Sequence, residues 1–207
     1  MNALERHRRL TAIWSSERGF RGWFSTVNHS DVGKLFLVTA FVFFLIGGVL
    51  AMLIRAQLAT PHSAFAGPEI YNQIFTMHGT IMMFLFAIPT FEGLAIYLLP
   101  KLLGTRDLAF PRLTSYGYWC YVFGGTMLLV SMVLGIAPDA GWFMYPPLSG
   151  PIHSPGINTD FWLIGITFVE ISAIAAAVEL SVSILKYRAP GMSLDKMPIF
   201  AWYALVT

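Results

Sequence analysis

Residues 35–54, LFLVTAFVFFLIGGVLAMLI, form an unbroken run of uncharged side chains between Lys34 and Arg55. At a rise of about 1.5 Å per residue, a helix over this run is about 30 Å long, which matches the hydrocarbon thickness of a bilayer. Further apolar runs follow at about 70–100, 114–136, 160–186 and 197–207. The sequence therefore predicts an all-α fold, a polytopic transmembrane helix bundle with four full spans and the start of a fifth.

The composition of the chain agrees with a membrane protein. Of its 207 residues, 56% are hydrophobic and only 12% are charged, and the mean hydropathy is +0.65. A soluble domain usually carries about 25% charged residues. The high apolar content excludes a disordered chain, and the single cysteine, Cys120, excludes a disulfide scaffold. No zinc-ligand spacing, phosphate loop or nucleophile elbow is present, and no nucleic-acid partner is predicted.

The distribution of basic residues predicts the orientation in the membrane. Twelve of the 13 Lys and Arg residues fall in the N-terminal arm and in the second and fourth connections between spans, and only Arg55 falls on the other side. Because basic residues are concentrated in cytoplasmic segments, residues 1–34 are predicted to be a cytoplasmic arm and residues 35–207 the membrane domain. The first span is then about 35–55, and the lipid bilayer is a predicted partner.

Two further expectations concern the ends of the chain. The arm carries apolar and aromatic side chains among basic ones, which is typical of a segment at the membrane interface. These residues are Leu10, Ile13, Trp14, Arg18, Phe20, Arg21, Trp23 and Phe24. The last run, 197–207, would reach only about 16 Å as a helix, so the chain is expected to be the N-terminal part of a longer protein.

His78 and Arg55 are candidates for chemistry because polar side chains inside or at the end of a span are costly. His78 could be a neutral imidazole that is hydrogen-bonded to another helix, or an axial ligand of a haem iron. Tyr71, seven residues earlier, lies on the same face of the helix. Arg55 could be an interfacial anchor, or it could hydrogen-bond a substituent of a haem.

Three carboxyl groups within the spans are further candidates. Glu170 and Glu179 are nine residues apart, so a helix directs them to opposite faces. Each could be a protonated carboxyl in a helix interface or part of a proton relay with nearby hydroxyls. Glu92 follows Pro89, which frees a backbone carbonyl, so Glu92 could cap this kink or transfer protons.

Five motifs, in collinear order, resemble subunit I of the haem-copper terminal oxidases, most closely the cytochrome c oxidase type. The motifs are STVNHSDVGK at 25–34, IRAQL at 54–58, YNQIFTMHG at 71–79, GTRDLAFPR at 104–112 and GWFMYPPL at 141–148. The resemblance extends from about residue 23 to residue 207. It implies that about the first five of some twelve helices are present.

The resemblance also implies roles for individual residues. His78 matches one of two axial ligands of a low-spin haem, Arg55 and Tyr71 match residues near that haem, and Trp142 and Tyr145 match a loop over its propionates. Asp107 matches the Asp at the cytoplasmic mouth of the family's proton pathway. Thr114 and Ser115 lie in a string where the family's pathway carries Asn. Ser172 lies near Glu170, and the route could be rebuilt around Glu170 and Glu179. Glu179 stands where family members usually have Asn, and Glu170 where a small residue is usual.

The implied activity is the reduction of dioxygen to water, coupled to proton pumping, in an inner membrane that is bacterial rather than mitochondrial. The expected partners are oxidase subunits II and III, and cytochrome c or a quinol as the electron donor. The low-spin haem would be of the a or b type. The ligands of the family's high-spin haem and copper come from later helices, so this segment alone lacks the oxygen-reducing centre. A non-catalytic membrane electron-transfer or scaffold fragment is the alternative.

Overall fold

The computed structural model describes residues 2–14 and 19–207, and within them all regular structure is helical. The helices are α1 (Ala3–Trp14), α2 (Phe20–Phe24), α3 (His29–Gln57), α4 (Pro68–Thr80), a π-helix (Ile81–Ala87), α5 (Ile88–Leu103), α6 (Pro111–Val133), α7 (Asn158–Lys186), a 3-10 helix (Leu194–Lys196) and α8 (Ile199–Val206). The π-helix joins α4 and α5 into one rod. Four rods in the described residues are long and apolar enough to cross a membrane, namely His29–Gln57, Pro68–Leu103, Pro111–Val133 and Asn158–Lys186. The predicted polytopic helix bundle is therefore confirmed.

Small residues let the helices approach closely. Helix α3 lies along α5, and α6 lies along α7. A Cβ atom on Gly33 would lie 2.9 Å from Gly93 O, and one on Gly165 would lie 2.9 Å from Leu128 Cγ. Because lipid is as apolar as the helix surfaces, helices in membranes associate through such tight packing. Glycines at these positions therefore explain why the two helix pairs can pack so closely.

The π-helix and Pro89 leave a backbone carbonyl that needs a partner. Leu85 O would accept from residue 89 in a regular helix, but Pro89 has no N–H. The hydroxyl of Tyr121 on α6 donates to Leu85 O at 2.6 Å, and Tyr121 is fully buried. The freed carbonyl is thus capped by Tyr121 rather than by Glu92. This bond also links the second rod to the third.

The N-terminal arm is largely exposed. Leu10 is 44% exposed and Phe20 is 82% exposed, while the ring of Phe24 lies 5.9 Å from that of Trp119 on α6. Arg18 lies outside the described residues, as do the side chains of Ile13 and Trp14. Exposed aromatic and apolar side chains at this end remain compatible with the predicted interfacial segment, which stays a prediction.

Candidate functional sites at the two ends of the bundle

We name the two ends of the bundle after residues on their connections. The Asp107 end contains the start of α3, the connection 104–110 and the end of α7, which are joined by hydrogen bonds and by a contact between Asp107 and His29. The Trp142 end contains the end of α3, the start of α4 and the connection 134–157. Each end holds one group of the residues predicted from the sequence.

His78 lies on α4 and is half-buried. Its ring Nδ1 lies 2.9 Å from the carbonyl oxygen of Gly47 on α3. A carbonyl oxygen can only accept, so Nδ1 is the donor, and in the neutral imidazole Nε2 then has a free lone pair. This is the arrangement by which a second hydrogen bond orients a metal-binding histidine. The interhelical hydrogen bond and the ligand role, which the sequence left as alternatives, are therefore compatible in one side chain.

Among the described residues, no three His, Cys, Asp or Glu side chains converge around His78 or elsewhere.

Two threonines of α4, on either side of His78, bind the neighbouring segments. The backbone N–H of Gly141 donates to Thr76 Oγ1 at 2.9 Å, and the indole N–H of Trp162 on α7 donates to Thr80 Oγ1 at 2.9 Å. Both threonines are fully buried. A Cβ atom on Gly79 would overlap the indole of Trp142, so only glycine lets this ring pack so closely beside His78. Trp142 is thereby held next to the candidate ligand.

Replacing Thr76 with valine should loosen the connection that carries Trp142. Valine has the same shape but no acceptor, so the buried N–H of Gly141 loses its partner, at a cost of about 1–3 kcal/mol. Hydrogen exchange at the Gly141 amide should accelerate accordingly, whereas Thr76→Ser, which keeps a hydroxyl, should exchange almost as the parent protein does. Equal protection of Gly141 in Thr76→Val and the parent would contradict this assignment.

The remaining residues predicted at the Trp142 end are more exposed. Arg55 is exposed, Tyr71 is half-buried and Tyr145 is 66% exposed. Within the part of the chain that the structure describes, no hydrogen bond or ion pair joins any of them to His78. Tyr71 lines a cleft of about 520 Å³. Their polar groups are thus accessible from outside the four rods.

Gln57 is a structural residue that the sequence interpretation missed. Its Nε2 donates to Ser63 O at 2.8 Å, and its Oε1 accepts from Ala66 N at 2.7 Å. The amide thus holds the connection between α3 and α4 against the end of α3. No sequence signal reveals this role, because it depends on the path of the connection.

At the Asp107 end, Asp107 faces a histidine that was not among the sequence candidates. Its Oδ1 lies 3.3 Å from His29 Nδ1 and accepts from Leu108 N at 2.8 Å. The side chains of Asp107 and His29 are only 13% and 9% exposed. His29 lies within the STVNHSDVGK motif, so the motif itself was the available signal.

Glu179 is fully buried on α7 and bonds to the connection 104–110 and to α6. Its Oε1 accepts from Phe110 N at 3.1 Å, and its Oε2 accepts from the Thr114 hydroxyl. One turn further, Ser183 Oγ accepts from Ala109 N at 2.9 Å. The structure therefore brings Thr114 and Glu179 together close to Asp107.

The other proton-pathway candidates are not bonded to Glu179 in the described residues. Ser115 is half-buried, and Ser172 Oγ is buried without a hydrogen-bond partner in the described residues, facing Gly117 of α6. Glu170 is exposed, whereas Glu179 is fully buried. The two carboxyl groups of α7 therefore belong to separate environments.

The comparisons with known proteins show the family of the chain. The family profile described as "Cytochrome C and Quinol oxidase polypeptide I" matches residues 31–207. The chain therefore belongs to this family of oxidase polypeptides, as the motifs predicted. With its four apolar rods, it is a multi-pass membrane protein.

Curated bacterial relatives make the assignment more specific. The chain is 45% identical over 186 residues to the "Probable cytochrome c oxidase subunit 1-alpha" of Streptomyces coelicolor, covering 89% of this chain and 32% of the relative. It is 43% identical over 195 residues to "Cytochrome c oxidase subunit 1" of Corynebacterium efficiens, covering 93% and 34%. It is 46% identical over 184 residues to a "Probable cytochrome c oxidase subunit 1-beta" of Nocardia farcinica, covering 88% and 31%. The chain thus spans about a third of the length of these relatives.

Proposed function

We propose that this chain forms part of the haem-bearing catalytic subunit of a respiratory terminal oxidase, an oxidoreductase of the cytochrome c oxidase type. The observation that carries the proposal is the orientation of His78. Its Nδ1 is engaged by Gly47 O at 2.9 Å, which leaves Nε2 as a donor for the iron of a low-spin haem. When bound, a low-spin haem of the a or b type accepts and passes on single electrons.

The other residues of the Trp142 end would surround this haem. Arg55 would donate charge-assisted hydrogen bonds to a propionate, and Tyr71 would lie near the propionates. Trp142, held beside Gly79, and Tyr145 would cover the haem edge and limit the access of water. The accessible polar groups of Arg55, Tyr71 and Tyr145 support this proposal, because they are not buried among the four rods.

The Asp107 end would take up protons from the cytoplasm, where the distribution of basic residues predicts the N-terminus. Asp107 and His29 would form the entrance, because they pair at 3.3 Å at the rim of the bundle. The hydroxyls of Thr114, Ser115 and Ser172 would line the route. The orphaned Ser172 Oγ supports this, since a buried hydroxyl without a protein partner usually binds a water. Glu170 and Glu179 are the carboxyl groups proposed further along the route or beside it.

The complete oxidase would reduce dioxygen to water and pump protons across a bacterial inner membrane. It would contain a high-spin haem and copper, and it would assemble with subunits II and III. Cytochrome c or a quinol would supply the electrons. The similarity to cytochrome c oxidase subunits of other bacteria favours cytochrome c.

Purification through a tag on this chain tests the proposal against a non-catalytic electron-transfer or scaffold fragment. The complex should contain haem and should consume oxygen when reduced cytochrome c is supplied, with a quinol as the parallel donor. Oxygen consumption with the quinol alone would identify the quinol as the electron donor and would leave the oxidase assignment in place. A complex without haem or oxygen consumption would show that the chain acts outside a terminal oxidase.

A further inference from the structure

The connection 104–110 carries Asp107 and is bonded to α7 through two consecutive backbone amides. Ala109 N–H donates to Ser183 Oγ at 2.9 Å, and Phe110 N–H donates to Glu179 Oε1 at 3.1 Å. Ser183 is 1% exposed and Glu179 is fully buried. Two side chains of one helix therefore fix the segment that leads from Asp107 into α6.

The start of α6 has no capping side chain in its own sequence, and Glu179 of α7 provides one. Phe110 precedes the helix and has no side-chain oxygen, so it cannot cap it, and Pro111 occupies the first turn. Carboxylates near a helix N-terminus are favourable because they face the positive end of the helix dipole. The Glu179 carboxyl lies at this position and also accepts from the Thr114 hydroxyl in the first turn. It thus caps α6 from a neighbouring helix.

The bonds of Glu179 favour an anchor over a proton carrier, although one of its partners, Thr114, is a hydroxyl of the proposed route. Its Oε1 is bonded to Phe110 and its Oε2 to Thr114, both at the start of α6. Ser172, the next buried hydroxyl candidate on α7, is seven residues away, about 10 Å along a helix. No hydrogen bond in the described residues links Glu179 to it. All the hydrogen bonds of the carboxyl therefore serve the connection and the helix that follows it.

We propose that Glu179 is a positioning residue that, together with Ser183, holds Asp107 opposite His29, and that it does not itself carry the proton. The inference rests on the proposed function of Asp107 as the proton entrance. Asp107 is only two residues from the anchored Ala109, and its carboxylate lies 3.3 Å from His29 Nδ1. Release of the two amides would let the connection move and separate this pair.

The pair of variants Glu179→Gln and Glu179→Ala in the assembled oxidase separates the two roles. Glutamine can accept from Phe110 N–H through its oxygen and donate to Thr114 Oγ1 through its amide, but it cannot release a proton. We expect the turnover of Glu179→Gln to stay within about threefold of that of the parent oxidase. In Glu179→Ala, turnover and the exchange protection of the Phe110 amide should each fall about tenfold or more. Slow turnover in Gln with normal amide protection would overturn the proposal in favour of a relay.

A second pair keeps the test valid if Glu179→Ala fails to assemble. Ser183→Ala removes only the partner of Ala109 N–H, so exchange at that amide should accelerate about tenfold, with slower turnover. Ser181→Ala removes a hydroxyl from the same turn of α7 that has no bond to the connection in the described residues, and it should change neither. Unchanged exchange at Ala109 in Ser183→Ala would overturn the anchor. Normal turnover in Asp107→Asn would instead overturn the entrance, while the exchange results would still report on the anchor.

Discussion

Replacing His78 with alanine in the assembled oxidase should remove the low-spin haem band from the reduced-minus-oxidised spectrum. The imidazole is oriented by its bond from Nδ1 to Gly47 O, and alanine provides neither this bond nor a donor atom for iron. Loss of a residue that merely orients a metal ligand usually costs 10- to 100-fold in metal affinity or activity. Loss of the ligand itself should therefore reduce oxygen consumption by about 100-fold or more.

His153→Ala is the matched control for this experiment. It removes the same side chain from an exposed position on the connection 134–157. We expect its spectrum and its turnover to equal those of the parent protein. A low-spin band of normal height in His78→Ala would show that another residue binds the iron, and the hydrogen bond to Gly47 O would then be purely structural.

Replacing Asp107 with asparagine should slow turnover by about 100-fold, the lower end of what a positioned proton-transfer group contributes. Asparagine keeps an oxygen for Leu108 N–H, so the connection should retain its fold, but it cannot bind and release the proton. Oxygen consumption should fall while the haem spectrum stays unchanged. Proton uptake that follows oxidation of the reduced enzyme should slow in parallel.

Asp195→Asn provides the control on the same end of the bundle. Asp195 is exposed and lies on the 3-10 helix Leu194–Lys196, within the fourth connection. Its replacement removes one negative charge without touching His29 or the connection 104–110, and turnover should be unaffected. Normal turnover in Asp107→Asn, combined with slow turnover in Glu170→Gln, would instead favour a route that begins on α7.

Hydropathy predicted the four spans because each depends on a local property, the apolar length needed to cross a bilayer. The run 35–54 alone was sufficient for the first rod, although the helix extends from His29 to Gln57. The motifs around His78 and Asp107 were also readable as short strings, and the family match over residues 31–207 confirmed the resemblance. Local patterns therefore identified the fold and the two candidate sites.

The contacts within the sites could not be predicted in this way. Pro89 showed that a carbonyl would be freed, and Glu92 was the partner that the sequence suggested, but the packing of α6 placed Tyr121 there instead. Similarly, Glu170 and Glu179 looked alike as membrane carboxyls. One is exposed and the other is fully buried against the start of α6.

The sequence by itself determined that this is a membrane helix bundle of the oxidase family, because apolar length and motif spacing are properties of contiguous residues. Only the tertiary structure decided which side chains meet. His78 bonds to a residue 31 positions away, and Glu179 bonds to Phe110, 69 positions away. Hydrogen bonds have a range of about 3 Å, so their partners depend on how the helices pack and not on spacing along the chain.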